Sequence, residues 1–344
     1  MRCTSMTLWC ANSVVMLVTA CGEPDRVTAV VPQATPSLDV GTPPPPTYVG
    51  YALTDISAGL ASRATDINAH GWIVGTHTMH GSEHGFLRHP DGTVEDVPPL
   101  TGDVSNVVTG INDSEQIVGT STAPNGTTHA WTRALGGSMA RLYDAGCALA
   151  SHANAIDDAG NIVGGCGGVP AQWGPRYGPP WFVVGGTGDL FDIAVGTPVG
   201  TVDEPVSTTA ALVGGPNGAT TLAMPYGTVH ARINGIDGSR VMVGGYTVGT
   251  TERGFWATLS ATHQLPHVVY GISGQGRLVG WYTSIPAVAY TIAPNAFVET
   301  PLPPTNADRV AVRVNRCGSI VGHYFPSGLQ GGPRAALWTK PSCD

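Results

Sequence analysis

The apolar and polar positions of this chain recur in a fixed pattern: an alternating strand, a polar turn, then a second strand that opens with an apolar pair before glycine. Residues 64 to 75 (ATDINAHGWIVG) and 108 to 119 (VTGINDSEQIVG) share one register. It returns at 153–164 (ANAIDDAGNIVG), 233–244 (INGIDGSRVMVG), 270–280 (YGISGQGRLVG) and 312–322 (VRVNRCGSIVG). Alternation of this kind predicts half-buried strands. Several copies continue into a third strand with an aromatic core, at Phe86, Trp131, Phe255–Trp256, Tyr290 and Trp338, and a short fourth strand follows, as in Thr93–Val97. The closing glycines, Gly75, Gly119, Gly164, Gly244, Gly280 and Gly322, are spaced by 44, 45, 80, 36 and 42 residues. The doubled step predicts a degenerate unit between Phe191 and Gly200, which makes seven units. Six remain the alternative, because residues 168 to 226 are irregular.

Four-stranded units of about 40 residues have the size of propeller blades, so the expected fold is all-β, a β-propeller over residues 48–344. Little chain follows Trp338, whereas Tyr48–Ile56 supplies a lone strand before the first full unit. That N-terminal strand is expected to complete the last blade and close the ring. The repeat resembles that of bacterial extracellular HAF-repeat proteins, whose units read roughly Ile-Asn-x-x-Gly-x-Ile-Val-Gly followed by His-Ala-Phe. Residues 111 to 119 with His129-Ala130-Trp131 are the best copy, and the resemblance covers nearly all of residues 50 to 339. The chain departs from it in the fourth unit and where Arg253, Ala289 and Arg334 replace the motif histidine. The resemblance implies an exported β-repeat domain and no defined activity.

Residues 1–20 carry one positive charge at Arg2 and an interrupted apolar stretch from Met6 to Val18, too short and polar for a membrane span. They read as a secretory signal. The ending Val18-Thr19-Ala20-Cys21 resembles the lipobox of bacterial lipoproteins, which implies lipidation of Cys21 and a membrane-anchored protein at the outer membrane or cell surface. Residues 21–47, with Thr35-Pro36 and the run Pro43–Pro46, read as an extended linker.

Glycine and proline together are 75 of 344 residues, which excludes a helical bundle. The net charge of −8 argues against nucleic acid as a partner, and Lys340 is the single lysine. Export places thiols in an oxidising compartment. With Cys3 and Cys10 removed and Cys21 lipidated, Cys147, Cys166, Cys317 and Cys343 remain, and of the three pairings Cys147–Cys166 with Cys317–Cys343 is favoured.

The histidines His77, His80, His84 and His89 suggest a metal, but His84 is the motif histidine and no cysteine or carboxylate stands at zinc spacing, so no metal or cofactor is expected. The acidic turns Asn112–Ser114 and Asp157–Gly160 lack the ligand pattern of a calcium loop and read as turn chemistry. The glycine after Ile-Val reads as room for a bulge or for close packing of blades. Nucleophile-elbow, zincin and dinucleotide motifs are absent, and Asp66, Asp157 and Asp237 are taken to recur at one place in their units, which points to structure rather than to a catalytic centre. The chain therefore reads as a monomeric, non-enzymatic binding or scaffold module whose partner is an envelope protein or a polysaccharide. Trp72, Trp173, Trp181 and Trp281 lie outside the third-strand aromatic position and are the candidates for sugar stacking, with packing between blades as the alternative. Aromatics on one rim would favour sugar, a broad apolar patch a protein partner, and two facing carboxylates in the channel a polysaccharide hydrolase or lyase.

Overall fold

In the repeat, the strand before the polar turn and the strand after it pair as the alternation requires, and two further strands extend each sheet. The computed structural model describes residues 50–147, 150–183, 186–204, 208–215, 218–283, 288–292, 298–304, 306–326 and 332–341. The signal, the linker, Cys21 and Cys343 lie outside the described residues. Among the described residues there are 28 strands and no helix. The first unit is an antiparallel sheet of Ser62–Ile67, Ile73–Met79, Ser82–Arg88 and Val94–Val97. Four more sheets have four strands, and an eight-stranded one divides at a single parallel pairing, Thr209 with His230, into two groups of four. Strands Gly188–Ala194 and Thr197–Glu204 lie where the degenerate unit is expected. The expected N-terminal strand also forms: Ala52–Asp55 pairs with Arg334–Thr339, placing Leu53 opposite Trp338 in the last sheet.

The inner strand of every unit carries one extra residue. Register shifts fall between Ala64 and Asp66, Val108 and Gly110, Ala153 and Ala155, Leu190 and Asp192, Ile233 and Gly235, Val269 and Gly271, and Ala311 and Arg313. Such a bulge turns a carbonyl out of the ladder. The Arg63 carbonyl stands where a Cβ on Gly75 would be, and the Val107 carbonyl does the same at Gly119. The rings of Phe86 and Trp131 close the other side of these two glycines. The apolar-apolar-glycine signature is thus set by the bulge of the same unit, not by the approach of a neighbouring one.

Apolar layers lie between successive sheets. One joins Val118 and Ala130 of the second unit to Ala153, Ile162 and Trp173 of the third, and another joins Ala64, Ile73 and Phe86 of the first to Val321 and Ala335 of the last. The facing sheets bury their alternate residues against one another.

The inner strands are stitched to each other by side chains. At the bulge, Thr65 Oγ1 donates to the Val108 carbonyl (2.7 Å), Thr109 Oγ1 to Ala153 (2.7 Å), Asn154 Nδ2 to Leu190 (2.7 Å) and Asn234 Nδ2 to Val269 (2.9 Å). The motif asparagine forms a second row: Asn68 Nδ2 donates to the Asn112 carbonyl (3.1 Å), Asn112 to Asp157 (3.0 Å), and Asn315 of the last unit to Asn68 of the first (3.1 Å). Each such asparagine also holds its own turn; Asn112 Oδ1 accepts the Ser114 and Gln116 amides. Asp157 and Asp237 occupy the same place and accept the matching amides. Asp66 does not belong with them: it stands two positions earlier, level with Asp192 and Arg313. The expected equivalence of Asp66, Asp157 and Asp237 is corrected accordingly.

Replacing Asn112 by Ala should lower stability by about 2–3 kcal/mol, since it strips partners from a buried carbonyl and two amides. Asn112→Asp keeps the turn acceptors and should lose less. Chemical denaturation of both variants checks this; an Asn112→Asp protein as stable as the wild type would mean that the bond between units contributes nothing.

Candidate functional site

The residue after each bulge is Asp66, Gly110, Ala155, Asp192, Gly235, Gly271 or Arg313 in chain order. Only three of these carry more than a methyl group, and they meet. Arg313 Nε is 3.8 Å from Asp66 Oδ1 and its Nη2 is 3.6 Å from Asp192 Oδ1. Arg313 Nη1 donates to the carbonyls of Tyr270 (2.9 Å) and Asn234 (3.2 Å). One guanidinium therefore touches the first, fourth, fifth and sixth units from the seventh. Each carboxylate is equally committed. Asp66 accepts the Ile67 and Ile111 amides, and Asp192 the Ile193 and Ile236 amides. Burial raises the pKa of Asp66 to about 6 against the opposing pull of Arg313, and it raises that of Asp192 as well. Burial disfavours the Arg313 charge, but the two carboxylates outweigh it and hold the group protonated. Two carboxylates of the kind that would suggest catalysis are thus present, and both are occupied in joining units. The repeat position after the bulge, compared across all copies, is the sequence signal that would have found them.

In an antiparallel four-stranded unit, the entry to the inner strand and the turn between second and third strands lie at one end. At that end lies an aromatic cleft of roughly 490 Å³ between the fifth and sixth units, lined by Thr250, Thr251, Glu252, His267, Tyr270, Trp281, Tyr282 and Thr283. Tyr270 is the bulge residue of its inner strand, where other units place Thr or Asn as the stitch, although Phe191 and Val312 also depart. Trp281 follows the closing glycine, where other units place Thr, Gly or His. Tyr270 and Trp281 stack with centroids 5.4 Å apart, and His267 stacks on Tyr282 at 4.0 Å. The Arg232 guanidinium lies 5.7 Å over the Tyr270 ring, donates to its hydroxyl (3.2 Å), and sits 3.7 Å from Glu252. Behind His267, Glu299 Oε2 is 3.7 Å from Nε2, and Glu299 Oε1 is buried without a hydrogen-bond partner. Burial pushes Glu299 up to about 7 and His267 down.

Of the tryptophans singled out in the sequence, only Trp281 enters this cleft. Trp173 is fully buried, with Nε1 donating to the Tyr143 carbonyl, so it offers no face to a ligand and belongs to the core. Trp72 is half-buried against His89, with ring centroids 4.2 Å apart. Trp181 is 67 % exposed on the short strand Trp181–Phe182. The four are not brought together. Tyr270 could have been found by comparing repeat copies, whereas Tyr282 and Arg232 have Tyr and Arg equivalents in other units and carry no such signal.

Cys147 and Cys166 form the expected disulfide, which ties the connection before the third unit to its second strand. Cys317 is also disulfide-bonded. His77 Nε2 and His84 Nδ1 both bond Asp96, at 2.9 and 3.1 Å, His89 faces Glu95 at 4.0 Å, and His80 occupies an exposed turn with φ of 51°. Among the described residues no group of three His, Cys, Asp or Glu side chains is placed to hold a metal ion.

No family model matches the chain, and no curated protein matches it by sequence. Solved structures do match. The β-propeller domain of the Trilobed protease from Pyrococcus furiosus superposes with a TM-score of 0.57 at 7 % identity, covering 83 % of this chain and 96 % of that one. Virginiamycin B lyase from Staphylococcus aureus gives 0.55 at 10 % identity over 84 % and 99 %. Oligogalacturonate lyase from Vibrio parahaemolyticus gives 0.54 at 9 % identity over 83 % and 93 %. At such identities the likeness concerns fold alone, and the fold is that of a β-propeller.

The triad of Asp66, Arg313 and Asp192 makes stability depend on pH. A carboxyl whose folded pKa of about 6 exceeds its ordinary value contributes stability that is full below about 4 and is lost as pH rises through 6. The native protein should therefore lose about 1–3 kcal/mol on this account between pH 4 and 7, and Asp66→Asn should lose that much less over the same range. Denaturation of both proteins across that range checks it; identical pH profiles would contradict it.

Proposed function

We propose that this protein is a seven-bladed, ring-closed β-propeller that binds saccharide in the cleft between its fifth and sixth units. The observation that carries the reading is the cluster of half-buried rings, Tyr270, Trp281, Tyr282 and His267, beside an Arg232–Glu252 pair and three threonines. Sugar rings present apolar faces edged by hydroxyls. Aromatic rings cover such faces, while paired donors and acceptors meet the hydroxyls. Tyr270 stands where the fold would place a stitching Thr or Asn, as expected where function overrides structure. The lyases among the similar folds extend to this chain only as an alternative reading, since the two axial carboxylates are already engaged by backbone amides and Arg313.

The closing contact from Asn315 to Asn68 and the N-terminal strand in the last sheet support the ring. The signal, the lipidated Cys21 and the proline-rich linker would carry this domain at the bacterial envelope, facing polysaccharide or an envelope protein.

Two outcomes are expected. The full chain should bind at least one of cellulose, chitin or xylan, and Trp281→Ala should weaken that binding about tenfold or more, measured by depletion assays. Retention of full affinity in Trp281→Ala and Tyr282→Ala would remove the cleft as the site. Cys21→Ala should move the protein from the membrane to the soluble fraction on cell fractionation; an unchanged membrane fraction would contradict the lipid anchor.

A further inference from the structure

The motif histidine has two closely comparable settings in this chain, and they differ. In the first unit His84 Nδ1 bonds both oxygens of Asp96 at 3.1 Å and the pair is closed. In the second unit the matching His129 faces Asp144, but its Nδ1 stays 3.6 Å from Oδ2. That oxygen is taken by Arg141, whose Nε and Nη2 donate to it at 2.9 and 2.5 Å. His129 Nδ1 is left buried with no hydrogen-bond partner. An unpaired buried polar atom is unfavourable by roughly 1–3 kcal/mol unless something else satisfies it.

His129 lines a concavity of roughly 650 Å³ together with Asn125, Thr127, Arg141, Asp144 and the backbone of Gly146. This is within the size range of small-molecule sites. The far wall is rigid: Cys147, next to Gly146, is fixed by its disulfide to Cys166, and the Cys147 amide donates to the Asp144 carbonyl at 2.9 Å.

The chemistry of the wall selects the ligand. The Arg141 guanidinium and the Asp144 carboxylate cancel each other, which disfavours a ligand of high charge of either sign. What remains is a mixture of donors and acceptors: the rest of the guanidinium, Asp144 Oδ1, the Asn125 amide nitrogen and the Thr127 hydroxyl. Hydroxyl groups both donate and accept, so neighbouring hydroxyls on one sugar edge can meet an Arg–Asp pair together. The concavity offers no Tyr, Trp or Phe ring, so it would hold a sugar by its edge and not by its face.

We propose that the concavity between the second and third units is a second saccharide site, so that one molecule takes two sugar segments, one stacked in the aromatic cleft and one held by its hydroxyl edge beside His129. This rests on the saccharide reading of the cleft, and the test separates the two.

The full chain is titrated calorimetrically with cellohexaose, chitohexaose and xylohexaose. For the hexaose that binds, the wild type should take two molecules, Asp144→Asn one, Trp281→Ala one, and the double variant none. Arg141→Gln, at the exposed side of the concavity, repeats the Asp144→Asn result in a background whose fold is not at risk, and thermal melts confirm that each variant is folded. A wild-type stoichiometry of one that is unchanged by Asp144→Asn and Arg141→Gln overturns the second site and leaves the cleft standing. A stoichiometry that falls in Asp144→Asn and Arg141→Gln but not in Trp281→Ala removes the cleft and leaves the second site. Absence of binding by all three hexaoses overturns both.

Discussion

Apart from the single Thr209–His230 pairing, the first strand of each four-stranded unit has one edge with no strand to pair with, and the fold depends on how that edge is satisfied. An unpaired strand edge inside a protein leaves carbonyls and amides without partners, which is costly away from water. Here the solution is lateral. Thr65, Thr109, Asn154 and Asn234 reach the carbonyls of the next inner strand, the motif asparagines repeat the contact one turn further on, and Asp66 and Asp192 accept amides from their neighbours. The bulge in every inner strand makes this possible, and the glycine of the second strand makes the bulge possible. Arg313 adds a link between units whose charge is balanced by the two carboxylates.

Much of this was legible from the sequence because the repeat is short and strict. Gly75, Gly119, Gly164, Gly244, Gly280 and Gly322 mark the units, the doubled interval locates the degenerate one, and the strand beginning near Tyr51 finds its place beside Arg334–Thr339. The disulfide between Cys147 and Cys166 was legible from compartment and spacing. The role of the asparagines was only half visible. Turn chemistry explains Asn112 Oδ1, whereas its Nδ2 serves a strand 45 residues away, and nothing local in the sequence announces that partner.

The site was less legible, for a related reason. Tryptophans were ranked by residue type, which gave Trp173 the same weight as Trp281, although one is sealed in the core and the other lines a cleft. The informative quantity is departure from the repeat: Tyr270 where a stitch is usual, Trp281 after the glycine, and Asp66, Asp192 and Arg313 where small residues are the rule. In a repeat protein the fold tolerates such departures at few places, so they mark either a link across the ring or a surface kept for a ligand. Asp66, Asp192 and Arg313 join units, and Tyr270 and Trp281 line the cleft for which we propose a saccharide.

Hydrogen–deuterium exchange of the full chain, with and without cello-, chito- and xylohexaose, tests the central claim most directly. The account predicts slowed exchange around Thr250–Glu252, His267–Tyr270 and Trp281–Thr283 with at least one of these sugars. Exchange in those three segments that is unaltered by every sugar would contradict it.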